Sequence, residues 1–136
     1  MKYISFFLIS TNFLFAATQY ELLLYEKILP SIFHNTPLKI YASQDEYKLL
    51  KYSNKFNLVS YCDSSVVLLL GSQFENLPKE CQNKPIFATN YRVFKNNTHS
   101  FGAFYWRKGR PQIIFDQAIL NNYNITLPDS LKKYLQ

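Results

Sequence analysis

The side chains in this sequence that could do chemistry are few: two histidines, two cysteines and nine carboxylates in 136 residues. His34 and His99 belong to no HExxH-type pair and to no spacing that would gather metal ligands. Each falls among turn-forming residues, where a histidine is ordinarily solvated and lacks the partner that would tune it as a base. Ser64 and Ser65 have no G-x-S-x-G turn to present a nucleophile. The glycines are Gly71, Gly102 and Gly109, and "GSQFEN" has neither the repeated glycines nor the lysine of a phosphate loop. The expectation is a protein that is not an enzyme and carries no cofactor or metal.

Among the carboxylates, Asp45, Glu46 and Asp63 adjoin the ends of expected strands, the edge at which open α/β sheets bind ligands. Asp45 and Glu46 equally suit the first turn of a helix, where negative charge opposes the helix dipole. The cysteines, Cys62 and Cys81, are too far apart for a C-x-x-C redox pair and have no His/Cys neighbours for zinc. A single structural bridge is the natural reading, with free thiols and then a catalytic thiol as the alternatives, and the choice rests on compartment and spacing.

The front of the chain bears on that compartment. "MKYISFFLISTNFLFAATQ" runs from a lysine through an apolar stretch to Ala16, Ala17 and Thr18, the order of a secretory signal peptide. The apolar run is interrupted by Ser10, Thr11 and Asn12 and is shorter than the ~20 residues a membrane span needs. We therefore expect a leader over residues 1–17, a single exported, periplasmic domain over 18–136, and no later membrane span or lipid-accepting cysteine. The formal net charge of +6 favours solubility and weak attraction to anionic surfaces without specifying a partner, and export makes nucleic acid an unsuitable target. "NNT" and "NIT" match the N-glycosylation pattern, but a Lys-, Asn- and Tyr-rich chain with so short a leader suggests a bacterial source, where such matches are accidental.

The elements that must position these residues read as α/β. Apolar spacing predicts an amphipathic helix from Tyr20 to Leu29, ended or kinked at Pro30, and then a loop, "HNTP". "LKIYAS" is a strand, and Ser43 with Glu46 three residues on has the spacing of a capping box that opens a helix. "FNLVSYC", "SSVVLLLGS" and "PIFAT" follow as strands, the middle one apolar enough to be buried on both faces. "QFENLPKECQNK" holds at most one helical turn, and "NYRVFKNNTHS" is expected to be loop. Asp116 is placed to cap a short helix, and Pro128 or Asp129 to begin a terminal one. The fold class is thus a single small α/β domain, a mixed sheet with flanking helices and a C-terminal hairpin followed by short helices.

That hairpin is "FGAFYWRKGRPQIIF". Alternation sends Phe101, Ala103 and Tyr105 to one face and Gly102, Phe104 and Trp106 to the other. The charged link "RKGR" marks the turn, with Gly109 supplying positive φ, and Pro111 suits only the start of a strand or a sheet edge. The tip joins exposed aromatics to cations, so Trp106, Arg107 and Arg110 are the candidate residues for partner contact.

The order of these elements resembles the YfiR-like periplasmic proteins. The resemblance rests on a first helix, "LKIYAS", a cysteine beside a buried strand in "YCDSSVVLLLGS", "PIFAT", and above all the closing "SFGAFYWRKGRPQIIFDQAILNNYNITLPDSLKKYL". That stretch places two strands about a turn before helical segments, and "YNITLPDSLKKYL" is similar to the family's "gL.is..Ll" pattern. The sequence departs from the family in keeping only Gly102 of two paired glycines and in having Asp116 where the family usually has Asn. The resemblance implies docking on the sensor region of a membrane-bound diguanylate cyclase, restraining it, with Cys62 and Cys81 as redox elements. The alternative is a small-ligand or solute-binding module, similar to one lobe of a periplasmic binding protein. It would hold a small anion at the strand ends near Ser43, Gln44, Ser72 and Asn90, where helix amides are free.

Overall fold

The computed structural model describes the backbone of residues 2–34, 37–71 and 77–136, with side chains from residue 18 onward. Six strands form one mixed sheet: β1 (Leu38–Ala42), β2 (Phe56–Leu58), β3 (Val67–Leu70), β4 (Ile86–Ala88), β5 (Ser100–Arg107) and β6 (Arg110–Phe115). Their order is β2-β1-β3-β4-β5-β6, with the first five parallel and β6 antiparallel to β5. Four helices accompany them: α1 (Lys2–Phe33), α2 (Gln44–Leu50), α3 (Tyr91–Asn96) and α4 (Gln117–Asn122). A 3-10 turn spans Lys79–Cys81, and a second 3-10 segment, Asp129–Tyr134, follows Pro128.

The sheet is covered on both faces, which is why β3 and β4 are apolar at every position rather than alternating. On one face α1 lays Tyr25, Ile28, Leu29 and Ile32 over Leu38, Ile40, Leu69, Phe87, Phe104 and Phe115, joined by Leu50 of α2 and Leu120 of α4. On the other, Val93 and Phe94 of α3 pack on Ala88, Ala103 and Ile114. Beside them Leu68, Leu70 and Ile86 meet the Cys62–Cys81 disulfide, whose sulfurs are bonded at 2.07 Å. The helix between β1 and β2 therefore lies on the face opposite the one between β4 and β5. Right-handed crossovers require that when the strand order reverses.

Two sequence expectations need correction. α1 does not end at Pro30 but runs through it to Phe33, where His34 at φ 58° turns the chain out and donates its N–H to the Pro30 carbonyl at 2.9 Å. Burial of Ile28, Leu29 and Ile32 on both sides of the proline outweighs the missing backbone donor. Residues 91–96, expected as loop, are α3: the Asn90 side chain accepts from the Val93 N–H at 2.8 Å, and Val93 and Phe94 are buried.

The hairpin forms as expected, with Trp106 opposite Pro111 and β6 at the sheet edge, where a missing proline donor is tolerated. Its two-residue link has Lys108 at φ 51° and Gly109 at φ 75°, the backbone of a type I′ turn. One detail differs. The register between β4 and β5 slips after Ile86, so that Ser100 pairs with Ile86 and Gly102 with Phe87. The extra residue moves Phe101 onto the Phe104 face, where its ring centroid lies 5.8 Å from that of Phe87.

Candidate functional site

A parallel sheet of order 2-1-3-4-5 has its topological switch point between β1 and β3, and the crevice outside the carboxyl ends of those strands is where such folds hold ligands. Here the chain leaves β1 at Ser43, β3 at Gly71 and β4 at Thr89. The Gly71 N–H donates to Ser43 Oγ at 3.0 Å, and Asn90 Nδ2 donates to the Gly71 carbonyl. Glu46 accepts from the Ser43 hydroxyl through Oε2 and from the Thr89 hydroxyl through Oε1, the latter at 2.6 Å. A Cβ at Gly71 would fall on Glu46 Oε1 and Thr89 Oγ1, so a larger residue there would displace the Glu46–Thr89 hydrogen bond.

Ser43 and Glu46 do interact, but not as a capping box. The Ser43 N–H is already bonded to the Leu69 carbonyl in the β1–β3 ladder at 3.0 Å, so Glu46 has no donor to return to and reaches across to Thr89 instead.

Beside this staple lies a cleft of ≈ 420 Å³. Glu21 and Tyr25 of α1 line one side, and Asp45, Glu46 and Lys48 of α2 with Thr89 line the other. Tyr25 is 2% exposed; its ring meets Phe87 and Phe104 edge-on at 6.2 and 5.9 Å, and its hydroxyl makes no hydrogen bond among the described residues. Burial first, and then the charges of Glu21 and Glu46, push the Tyr25 hydroxyl well above its ordinary pKa, so it stays a neutral phenol.

Of the residues the sequence nominated for ligand binding, Ser43 and Asn90 are brought together, but they are engaged with Gly71 and Glu46. Gln44 is exposed at the start of α2 and does not line the cleft, and Ser72 lies outside the described residues. Glu21, Tyr25 and Thr89 were not nominated. Glu21 and Tyr25 are four apart and so share a helical face, a signal present in the sequence, but only the fold shows which strand ends that face meets.

The second surface is the far end of the hairpin. Trp106 is 39% exposed and stacks beside Tyr20, 44% exposed, at 5.8 Å between ring centroids, with Leu23, 66% exposed, near the same end of α1. Its indole N–H donates to Glu21 Oε1 at 2.5 Å, and Phe104 packs edge-on against it at 5.6 Å. Arg107 and Arg110 face each other across the turn, both exposed and without an ion pair among the described residues. An apolar groove of ≈ 460 Å³ runs from Tyr20 and Leu23 past Ile113 to Leu131 and Tyr134, with Lys27 and Lys133 on its walls.

Of the histidines and serines weighed for chemistry, His99 is bonded within the fold, whereas His34 lines a second cleft of ≈ 460 Å³ together with Ser64 and Ser65. His99 Nδ1 lies 2.7 Å from the Tyr123 hydroxyl, which also donates to the Asn83 carbonyl at 2.9 Å, and His34 is exposed. Among the described residues no group of three His, Cys, Asp or Glu could hold a metal, and no helix is long and apolar enough to cross a membrane. No protein-family model matches the chain, and no curated protein matches it significantly.

Proposed function

We propose that the chain is a non-enzymatic regulatory module of the exported compartment, which acts by docking on a membrane-bound signalling protein. The YfiR-like resemblance makes a diguanylate cyclase the first partner to test. The observation that carries the reading is the hairpin end, where Trp106 is exposed yet held by Glu21 and Tyr20 beside two arginines that have no ion pair among the described residues. Exposed aromatic and arginine side chains supply most of the energy of an interface once desolvated. A side chain already fixed in the free protein loses less entropy on binding. The lysines beside the adjoining apolar groove favour an acidic, amphipathic partner segment.

The test is a crosslinking pull-down of the mature protein from its native membranes, followed by binary binding with the purified partner. The expected result is recovery of a membrane signalling protein by the wild type and its loss with alanine at Trp106, Arg107 and Arg110. Recovery of the same proteins by the triple variant, or of nothing above background by either, would overturn the reading.

A further inference from the structure

The cleft at the switch point carries a charge pattern that the docking reading does not use. Glu21, Asp45 and Glu46 all line it, and none of them has an ion pair among the described residues. The partners Glu46 does have, the Ser43 and Thr89 hydroxyls, are neutral donors that orient the carboxylate without cancelling its charge. Lys48 is the one cationic side chain among the described lining residues. The Tyr25 hydroxyl has no hydrogen bond among the described residues, and its side chain, 2% exposed, lines the same cleft. The cleft thus offers an excess of negative charge, an unused phenol and the apolar flank of Leu49.

We propose that this cleft binds a small organic amine, its ammonium received by Glu21, Asp45 and Glu46 and hydrogen-bonded to the Tyr25 hydroxyl. Three features select that class. An anion would enter against three carboxylates, which weighs against the anion site that the strand ends suggest by themselves. A bare metal ion needs ligands converging at ~2.0–2.6 Å, and no described His, Cys, Asp or Glu trio converges in that way. An ammonium hydrogen-bonds to at most three acceptors at about 2.7–3.2 Å and is attracted by a further carboxylate through charge without direct coordination, and its carbon chain matches the apolar flank. The site does not depend on the docking reading, but it is wired to the docking surface: Glu21 holds the Trp106 indole, so an amine drawn to Glu21 changes what fixes Trp106.

Trp106 is the chain's single tryptophan, so its fluorescence reports the event directly. The experiment titrates 1,5-diaminopentane into the full chain of 136 residues, in which Thr18 of the cleft lining carries no terminal ammonium, following Trp106 emission and, in parallel, heat by calorimetry. Glutarate, which has the same carbon length with the charge reversed, and calcium are titrated separately. Saturable diamine binding at submillimolar concentration with a change in emission is expected, and no saturation with glutarate or calcium. Glu21→Gln and Asp45→Asn should each weaken the diamine about tenfold, the usual cost of removing a charged hydrogen-bond partner. Tyr25→Phe should weaken it by a smaller factor. Asp45 is exposed, so its variant folds whatever happens at the other two positions. Absence of saturable diamine binding, preference for glutarate or calcium, or wild-type affinity in both Glu21→Gln and Asp45→Asn would each overturn the site. The docking reading would stand or fall separately on its pull-down.

Discussion

Asp63 is the residue at which a single contact sets a measurable property. Lys39 Nζ lies 2.6 Å from its Oδ2, and the Ser65 N–H and hydroxyl donate to its Oδ1 at 2.9 and 2.7 Å. The Lys39 hydrogen bond first, with the Ser65 donors after it, holds the Asp63 carboxyl well below the usual carboxylate range. A carboxyl with a lowered folded-state pKa stabilises the protein at any pH above its unfolded pKa of about 4, and that contribution is lost as pH falls through the folded value. The pair is exposed, so the effect on stability is small and weakens with salt. Following the Asp63 carboxyl carbon by NMR should show titration well below the usual carboxylate range, and Lys39→Ala should move it most of the way back. A midpoint that stays put in that variant would assign the shift to Ser65 instead. In sequence these residues were only a carboxylate near a strand end. The 24-residue separation of the pair makes it visible only once β1 and the loop before β3 are adjacent. Glu21, Tyr25 and Thr89 were hidden for the same reason: each is unremarkable locally, and the cleft exists only where α1 crosses the ends of β1, β3 and β4.

At the scale of elements, the local signals that survived are those in which a side chain bonds its own neighbourhood. Asp116 caps α4 through the Ile119 N–H at 3.2 Å, and the hairpin turns at Lys108 and Gly109. Those that failed were decided by tertiary packing: α1 continues past Pro30 because its flanks are buried, and α3 forms over six residues because Val93 and Phe94 have a sheet to cover. The β4–β5 slip belongs to this second kind, and it sets up a prediction at Gly102. A Cβ there would sit 2.6 Å from Cδ1 of Phe115, a ring fully buried among Phe87, Phe101 and Phe104 with no free direction to move. Gly102→Ala should therefore destabilise the fold by about 1–3 kcal/mol, the usual penalty for overpacking a core. Chemical denaturation checks this, and an unchanged midpoint would show that Phe115 yields more easily than its packing implies.

At the scale of the whole molecule, the disulfide has to be separated into a staple and a switch. Cys62 and Cys81 are 19 residues apart and buried among Val66, Leu68, Leu70 and Ile86, on the sheet face opposite α1. Closing a loop of that length restricts the unfolded chain, so Cys62→Ser with Cys81→Ser should lower stability by about 3 kcal/mol in the chain-entropy model. The hairpin end should keep its geometry, because Trp106 is held by Tyr20, Phe104 and Glu21, none of which touches the bridge. A redox switch acting through local structure at the bridge would change partner capture at temperatures where the double variant is still fully folded. A staple would change capture only in proportion to the unfolded fraction. Measuring capture by the double-serine variant, well below its melting temperature and beside the oxidised wild type, decides between them. The expected outcome is equal capture, with the reductant sensitivity of the pull-down appearing only near the variant's melting transition. Loss of capture by the folded variant would make the bridge part of the docking mechanism, acting across the sheet from the opposite face.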